Sequence, residues 1–395
     1  MAKNRRIFIS DIHMGDERSM QGPHPYCWFN KNIPKLAKFL DDQLNAGDLK
    51  EVVILGDLFD QWVIPTDEEP LLSYEAICSN PANAPVVDKL KALAKSDEIK
   101  LAYVPGNHDM SMDTDGIAVT RRFLESTFPG ILFFCNNNVP LGSYNVGTLT
   151  AEHGDRYCLF NAPDTFDASD TFLPLGYFIS RVVAHKVRST GSSENYISIL
   201  FTFLKNYLDH PEYIPDLFMA IAEDAGLNEN DVFKMTGVPG FPATITLGEV
   251  AGRFGNLIQK WDNSPGKAVD SGKAIVSDTG NLWLAANSVF HLSTAPNINI
   301  VIFGHTHIAD INRVFLREPG KGADKSKIPC RSIYANCGSW VDQPQPRSPN
   351  PRTGNVAAYE CTYVETELSD DQRRHYVRLK SYTDNELIDE GFVEM

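Results

Sequence analysis

With 395 residues, 43% of them hydrophobic and 22% charged, the chain has an ordinary globular composition and length enough for two or three domains around a large core. Its formal net charge of -15 and pI near 5.1 argue against a nucleic-acid partner, whose phosphates a general surface of that sign repels. A small anionic substrate stays admissible, because bound cations invert the sign locally. No apolar run reaches the roughly 18 residues of a membrane span, and the N-terminal run is too short for a signal peptide because Asp11 cuts it off. Seven cysteines without CxxC spacing fit a reducing compartment, so the cytoplasm is the expected location.

In chain order, residues 7–10 read as a short buried strand that runs into Asp11-Ile12-His13. Residues 31–46 carry apolar side chains at helical spacing, and Gly47 ends that helix. Residues 51–55 are a β-branched strand that delivers Gly56-Asp57 and then Asp60, which completes a βαβ unit with a parallel sheet. A helix over 86–95 and a strand over 99–104 follow, and that strand ends in Gly106-Asn107-His108-Asp109. Strands over 131–135 and 148–151 come next, the second running into Glu152-His153-Gly154-Asp155. Each polar strand end, taken singly, also reads as an Asx turn or a satisfied structural histidine.

Residues 159–295 differ in character. Apolar residues recur at helical spacing over 175–183, 197–208, 217–225 and 250–261. The stretch is too long for a loop and reads as a mainly helical cap inserted into a catalytic part formed by 1–158 and 296–395. Its apolar stripes read as core; the alternative is that 172–183 offers a greasy surface to a lipid-linked substrate or a membrane face. Residues 301–303 form another buried strand, ending in Gly304-His305-Thr306-His307. In extended backbone, i and i+2 side chains share a side, so the two imidazoles are expected to reach one volume. A charged, glycine-rich loop over 318–327, a strand and turn over 332–340, a proline-rich connection over 344–351 and antiparallel strands over 356–365 and 375–382 close the chain.

Collected, the strand ends offer Asp11, His13, Asp57, Asn107, His153, His305 and His307. Seven nitrogen and oxygen donors without cysteine exceed one tetrahedral zinc site and suit two ions sharing a carboxylate. Mixed imidazole and carboxylate ligation favours manganese, with iron or zinc as alternatives, over calcium or magnesium.

Asp11-x-His13, Gly56-Asp57-x-x-Asp60, Gly106-Asn107-His108-Asp109, His153 and Gly304-His305-x-His307, in this order, resemble the calcineurin-like metallophosphoesterase superfamily. The resemblance implies an α/β fold, a four-layer β-sandwich flanked by helices. It implies one ion held by Asp11, His13 and His307, a second by Asn107, His153 and His305, and Asp57 between them. It implies phosphoester or pyrophosphate hydrolysis by a hydroxide held between the ions, with His108 as general acid and Asp109 or Asp60 orienting it or a ligand. Residues 56–62 and 153–155 resemble the UDP-2,3-diacylglucosamine hydrolase subgroup in outline, which implies a phosphorylated small-molecule or lipid-linked substrate. A nuclease of the same superfamily and a non-catalytic scaffold are the competing readings; the charge argues against the first, and the full ligand set against the second.

Overall fold

In β1 (Arg5–Ile9), Ile7 and Ile9 face one side and Phe8 the other. β2 (Leu49–Leu55) separates Val52 and Ile54 from Val53 and Leu55, and β3 (Lys100–Val104) separates Leu101 and Tyr103 from Ala102 and Val104. A pleated backbone imposes this period of two. Because both faces are apolar, both must be covered, and the three strands pair in parallel as such strands do. One face packs under the helices Ile33–Leu44 and Ala84–Ala94.

The other face meets the far half of the same sheet. The computed structural model describes residues 4–110, 114–165, 171–192, 213–265, 267–291, 298–342 and 359–395. The further strands are β4 (Leu132–Phe133), β5 (Tyr144–Val146), β6 (Leu149–Ala151), β7 (Val232–Lys234), β8 (Thr244–Thr246), β9 (Ile300–Phe303) and β10 (Asp310–Phe315). They are followed by β11 (Cys330–Asn336), β12 (Thr362–Leu368), β13 (Arg374–Ser381) and β14 (Glu386–Glu394). One mixed 12-stranded sheet runs β4-β3-β2-β1-β12-β13-β14-β11-β9-β6-β5, with β10 on β11. It curls until its two halves meet: Arg6 Nε of β1 donates to Tyr144 Oη of the edge strand β5 at 3.1 Å, and the Phe8 and Tyr144 rings lie 5.8 Å apart. The inner layer thus joins Phe8, Val53 and Val104 to Ile300, Ile302, Ile333 and Ala335. The expected α/β architecture is present, with two sheet halves face to face and helices outside.

Several elements differ from the sequence reading. The strand expected over 131–135 shortens to β4, three antiparallel strands rather than two close the chain, and β10 and the helix Thr114–Thr127 were not foreseen. The periodic stretch over 250–261 is two helices, Leu247–Arg253 and Leu257–Asn263, with Gly255 between them. The first of these starts on a reciprocal Thr246–Glu249 capping box. The inserted segment also contains the β7–β8 hairpin, and its stretch over 197–208 lies outside the described residues.

The inserted helices cover the outer face of the far half-sheet. Tyr177, Phe178, Ile221, Phe233 and Trp261 share a buried cluster with Val301 and Phe303 of β9 and Tyr334 of β11. The apolar stripe over 172–183 is therefore largely core: Leu173, Tyr177, Phe178 and Val182 are fully buried. No helix among the described residues is long and apolar enough to cross a membrane.

Arg181 fastens this layer to the segment that follows Asp60. Its guanidinium is completely buried and donates to the carbonyls of Ile64, Pro65, Thr66, Glu68 and Lys234 at 2.6–3.3 Å. Removing it strands carbonyls that have no water to turn to. Arg181→Met is expected to destabilise the chain by about 3–5 kcal/mol. Calorimetry should show this as a melting temperature lower by roughly 5 °C or more; an unchanged melting temperature would refute the latch.

Candidate metal centre

The parallel strands β1, β2 and β3 of one half-sheet and the parallel pair β6 and β9 of the other all run into the loops that carry the candidate ligands, the ends of strands being where α/β folds open their crevices. The loops beyond them are stitched together by backbone bonds. Asp11 N–H donates to Gly56 O at 3.2 Å, His13 N–H to Asp57 O at 2.8 Å, and Gly304 N–H to His153 O at 2.9 Å. Gly56 has φ +79°, and a Cβ there would stand 2.4 Å from His153 Nδ1, so only glycine lets the β2 loop pass this ring.

Of the eight non-glycine residues with positive φ among the described residues, five are Asp11, His13, Asp57, His305 and His307, at 51–71°. Left-handed backbone at an ordinary side chain is strained by about 1 kcal/mol or more and collects at functional sites. It also corrects the geometric reading of His305 and His307. They do not share a side by strand alternation, because β9 ends at Phe303 and both histidines lie in the left-handed region.

Ligand atoms lie within 4.8 Å of one another in Asp11, His13 and His307 and in Asp57, His153 and His305, the two groups that flank the centre, and also in His13, Asp57 and His108 between them. One atom belongs to both neighbourhoods: Asp57 Oδ2 lies 3.5 Å from His13 Nε2 and 3.2 Å from His153 Nε2. Asn107 Oδ1 lies 3.0 Å from His153 Nε2 and 3.0 Å from His305 Nδ1.

The donor chemistry fits bound cations. His153 Nδ1 donates to Leu55 O at 2.7 Å, so its Nε2 is left facing two oxygens, and positive charge, a proton or a metal ion, must lie between them. Likewise, His13 Nδ1 donates to Asp60 Oδ2 at 3.2 Å, while its Nε2 meets His307 Nε2 at 3.1 Å. Asp11 Oδ1 is buried without a hydrogen-bond partner and lies 3.3 Å from His307 Nε2. Burial and the neighbouring His153 push the His305 imidazole down to about 3, which leaves a neutral ring with a lone pair, the form that ligates metals. The Asp57 carboxyl is held well below its ordinary range: burial opposes this, but the charges of His153 and His108 prevail.

His108 and the two acidic candidates sort themselves by contact. His108 Nδ1 donates to Asp60 Oδ1 at 3.0 Å, and its ring lies against Trp62, centroids 4.6 Å apart, with Trp28 on another side at 5.4 Å. Burial disfavours its protonation, yet the charges of Asp60 and Asp57 hold its pKa above the ordinary imidazole value. Asp60 therefore touches both His13 and His108. Asp109 instead accepts from the backbone amides of Phe59 at 2.7 Å and Gly106 at 3.1 Å, and burial beside Asp57 pushes its carboxyl up to about 7.

A cleft of about 270 Å³ opens over the centre. Asp57, Asn107, His108, His305 and His307 form its floor; Phe160, Ile179 and Asp278 come from the inserted segment. Trp28, Asn161 and Asp278 were not singled out in the sequence, and Trp62 entered only as the last residue of the 56–62 resemblance, without a role. Trp62 lies two residues past Asp60, which could have flagged it; the other three sit in segments with no strand-end pattern.

Clustered imidazoles and carboxylates around one shared oxygen, at the edge of a curled α/β sheet, make a site fit to hold cations. The chain belongs to the calcineurin-like phosphoesterase family, whose model matches residues 5–219, more than half its length. Among solved structures, purple acid phosphatase PPD1 from yellow lupin (Lupinus luteus) seeds aligns at 11% identity and TM-score 0.39, covering 100% of this chain and 54% of that one. The chain thus spans about half the length of that phosphatase. GAP50, the anchor in the inner membrane complex of Plasmodium, aligns at 9% identity and TM-score 0.37, covering 100% and 90%. No curated protein matches the chain.

Proposed function

We propose that the chain hydrolyses a small phosphoester or pyrophosphate at a dinuclear centre. One divalent cation is held by Asp11, His13 and His307, the other by Asn107, His153 and His305, and Asp57 is shared. The observation that carries this reading is the place of Asp57 Oδ2, within 3.5 Å of a nitrogen from each group. When bound, the cations would neutralise the phosphate's charge and lower the pKa of water enough for attack at neutral pH. Asn107, a neutral ligand, leaves more of that charge available to the substrate. His108 donates a hydrogen bond from Nδ1 to Asp60 and keeps Nε2 for the cleft, where it stabilises the transferring phosphoryl group and protonates the leaving oxygen.

The cap reading of 159–295 is supported by Phe160, Ile179 and Asp278, which wall the cleft. No lysine or arginine lines it among the described residues, which favours a compact substrate over a nucleic-acid strand. The apolar Phe160, Ile179 and Ile308 in the same wall favour a pyrophosphate or ester with a lipid-like portion as the second reading, in keeping with the UDP-2,3-diacylglucosamine hydrolase outline.

Chelation is expected to abolish hydrolysis of nitrophenyl phosphate, bis-nitrophenyl phosphate or pyrophosphate. Manganese, or else iron or zinc, should restore it, with about two ions per chain by elemental analysis. A chain that takes up no ion, or stays inert with two, would overturn the reading.

A further inference from the structure

An asparagine ligand has two nearly isosteric ends, and only its oxygen can face a cation. Something must hold the Asn107 amide the right way round. Its Oδ1 faces His153 and His305, while its Nδ2 donates to Asn161 Oδ1 at 3.5 Å. Asn161 is itself an amide and equally free to flip. Its Nδ2 donates to Asp278 Oδ1 at 3.3 Å, and the Phe160 backbone N–H points between the two oxygens of that carboxyl, 3.3 Å from each. A backbone N–H has no second orientation, so the Asp278 carboxyl faces this segment as an acceptor, and it orients Asn161, which in turn orients Asn107.

Two further observations show that the segment is built around this contact. Asp278 ends the helix Ser271–Asp278, where the helix dipole disfavours a carboxylate. Burial holds its carboxyl well above the ordinary range, and the donors around it, the Phe160 and Leu159 backbones, the Asn161 amide and the Cys158 thiol, oppose that shift and give the placement a purpose. Gly176, in the first turn of Leu175–Thr190, donates its N–H to Phe160 O at 2.8 Å, and a Cβ on it would fall 2.3 Å from Asn161 Oδ1. The helix approaches that closely only because residue 176 has no side chain.

We propose that Asn161, anchored by Asp278 and walled by Gly176, is a positioning residue through which the inserted segment sets the polarity of the Asn107 amide. The inference rests on Asn107 being a ligand, as in the reading above. The inserted segment then contributes to metal affinity as well as to the cleft wall.

The test is manganese titration of the full chain, followed by electron paramagnetic resonance and by elemental analysis after dialysis. Asn161→Ala should weaken one of two manganese sites by about 10-fold or more while the melting temperature stays within a few degrees. Asp278→Ala should do the same, and Asp278→Asn, which keeps an oxygen for Phe160 and Asn161, should restore most of the affinity. Wild-type affinity in Asn161→Ala, or equal loss in Asp278→Ala and Asp278→Asn, would overturn the relay. If Asn161→Ala does not fold, Asn161→Ser carries the same prediction. A wild-type chain that binds no manganese would instead sink the dinuclear reading itself, so the two failures are distinguishable.

Discussion

Asp57→Ala is expected to empty both halves of the centre at once. Asp57 Oδ2 faces an imidazole nitrogen of each group, 3.5 Å from His13 Nε2 and 3.2 Å from His153 Nε2. Its other oxygen accepts the His108 backbone N–H at 2.8 Å, so the same substitution loosens the loop that carries the proposed general acid. We expect metal content to fall from about two ions per chain to a small fraction of one, and kcat/KM to fall by at least roughly 10³-fold. The comparison that isolates sharing is His307→Ala. Among the proposed ligands His307 contacts Asp11 and His13, so one ion should remain. The fold should survive both changes, since the β2 core of Val52, Val53, Ile54 and Leu55 is fully buried and independent of the ions. Two ions per chain in Asp57→Ala would refute the bridging role, and so would equal losses from Asp57→Ala and His307→Ala.

Why the strands were legible and the site only partly so comes down to range. The alternation that divides Val52 and Ile54 from Val53 and Leu55 is local, and a buried parallel strand is hard to write any other way. The loops that follow strands 7–10, 51–55, 99–104 and 148–151 announced their donors because polar residues after an apolar run are also a local signal. What failed was backbone detail. The shared reach of His305 and His307 was argued from extended geometry, and the chain instead uses left-handed residues at both positions, a strain that only tertiary packing can hold. Glu386–Glu394 went unread because its inward side chains, Ile388 and Val393, are separated by charged residues and a glycine. Asn161, Asp278 and Trp28 were invisible for a different reason: each acts across more than 50 positions of sequence, on residues such as Asn107 and His108, and nothing local marks them.

His108→Ala should separate proton transfer from everything else the centre does. The ring is not among the six residues assigned to the two cations or their shared carboxylate partner, so both ions should stay bound. Its Nδ1 donates a hydrogen bond to Asp60 and its face rests on the buried Trp62, which fixes the ring so that Nε2 can meet the leaving oxygen. An alkyl phosphate needs that oxygen protonated as the bond breaks, and for such a substrate kcat should fall by about 10²–10⁴-fold. A nitrophenolate leaves without help, so nitrophenyl phosphate should lose only what His108 supplies as a charge near the phosphoryl oxygens, on the order of 10-fold. Asp60→Asn should lie between the wild type and His108→Ala on the alkyl ester, because it removes the acceptor that orients the ring and leaves the ring in place. The ratio of the two losses is the measurement that decides. If alkyl and nitrophenyl esters suffer alike in His108→Ala, the histidine is an electrostatic contact and the leaving oxygen takes its proton from elsewhere.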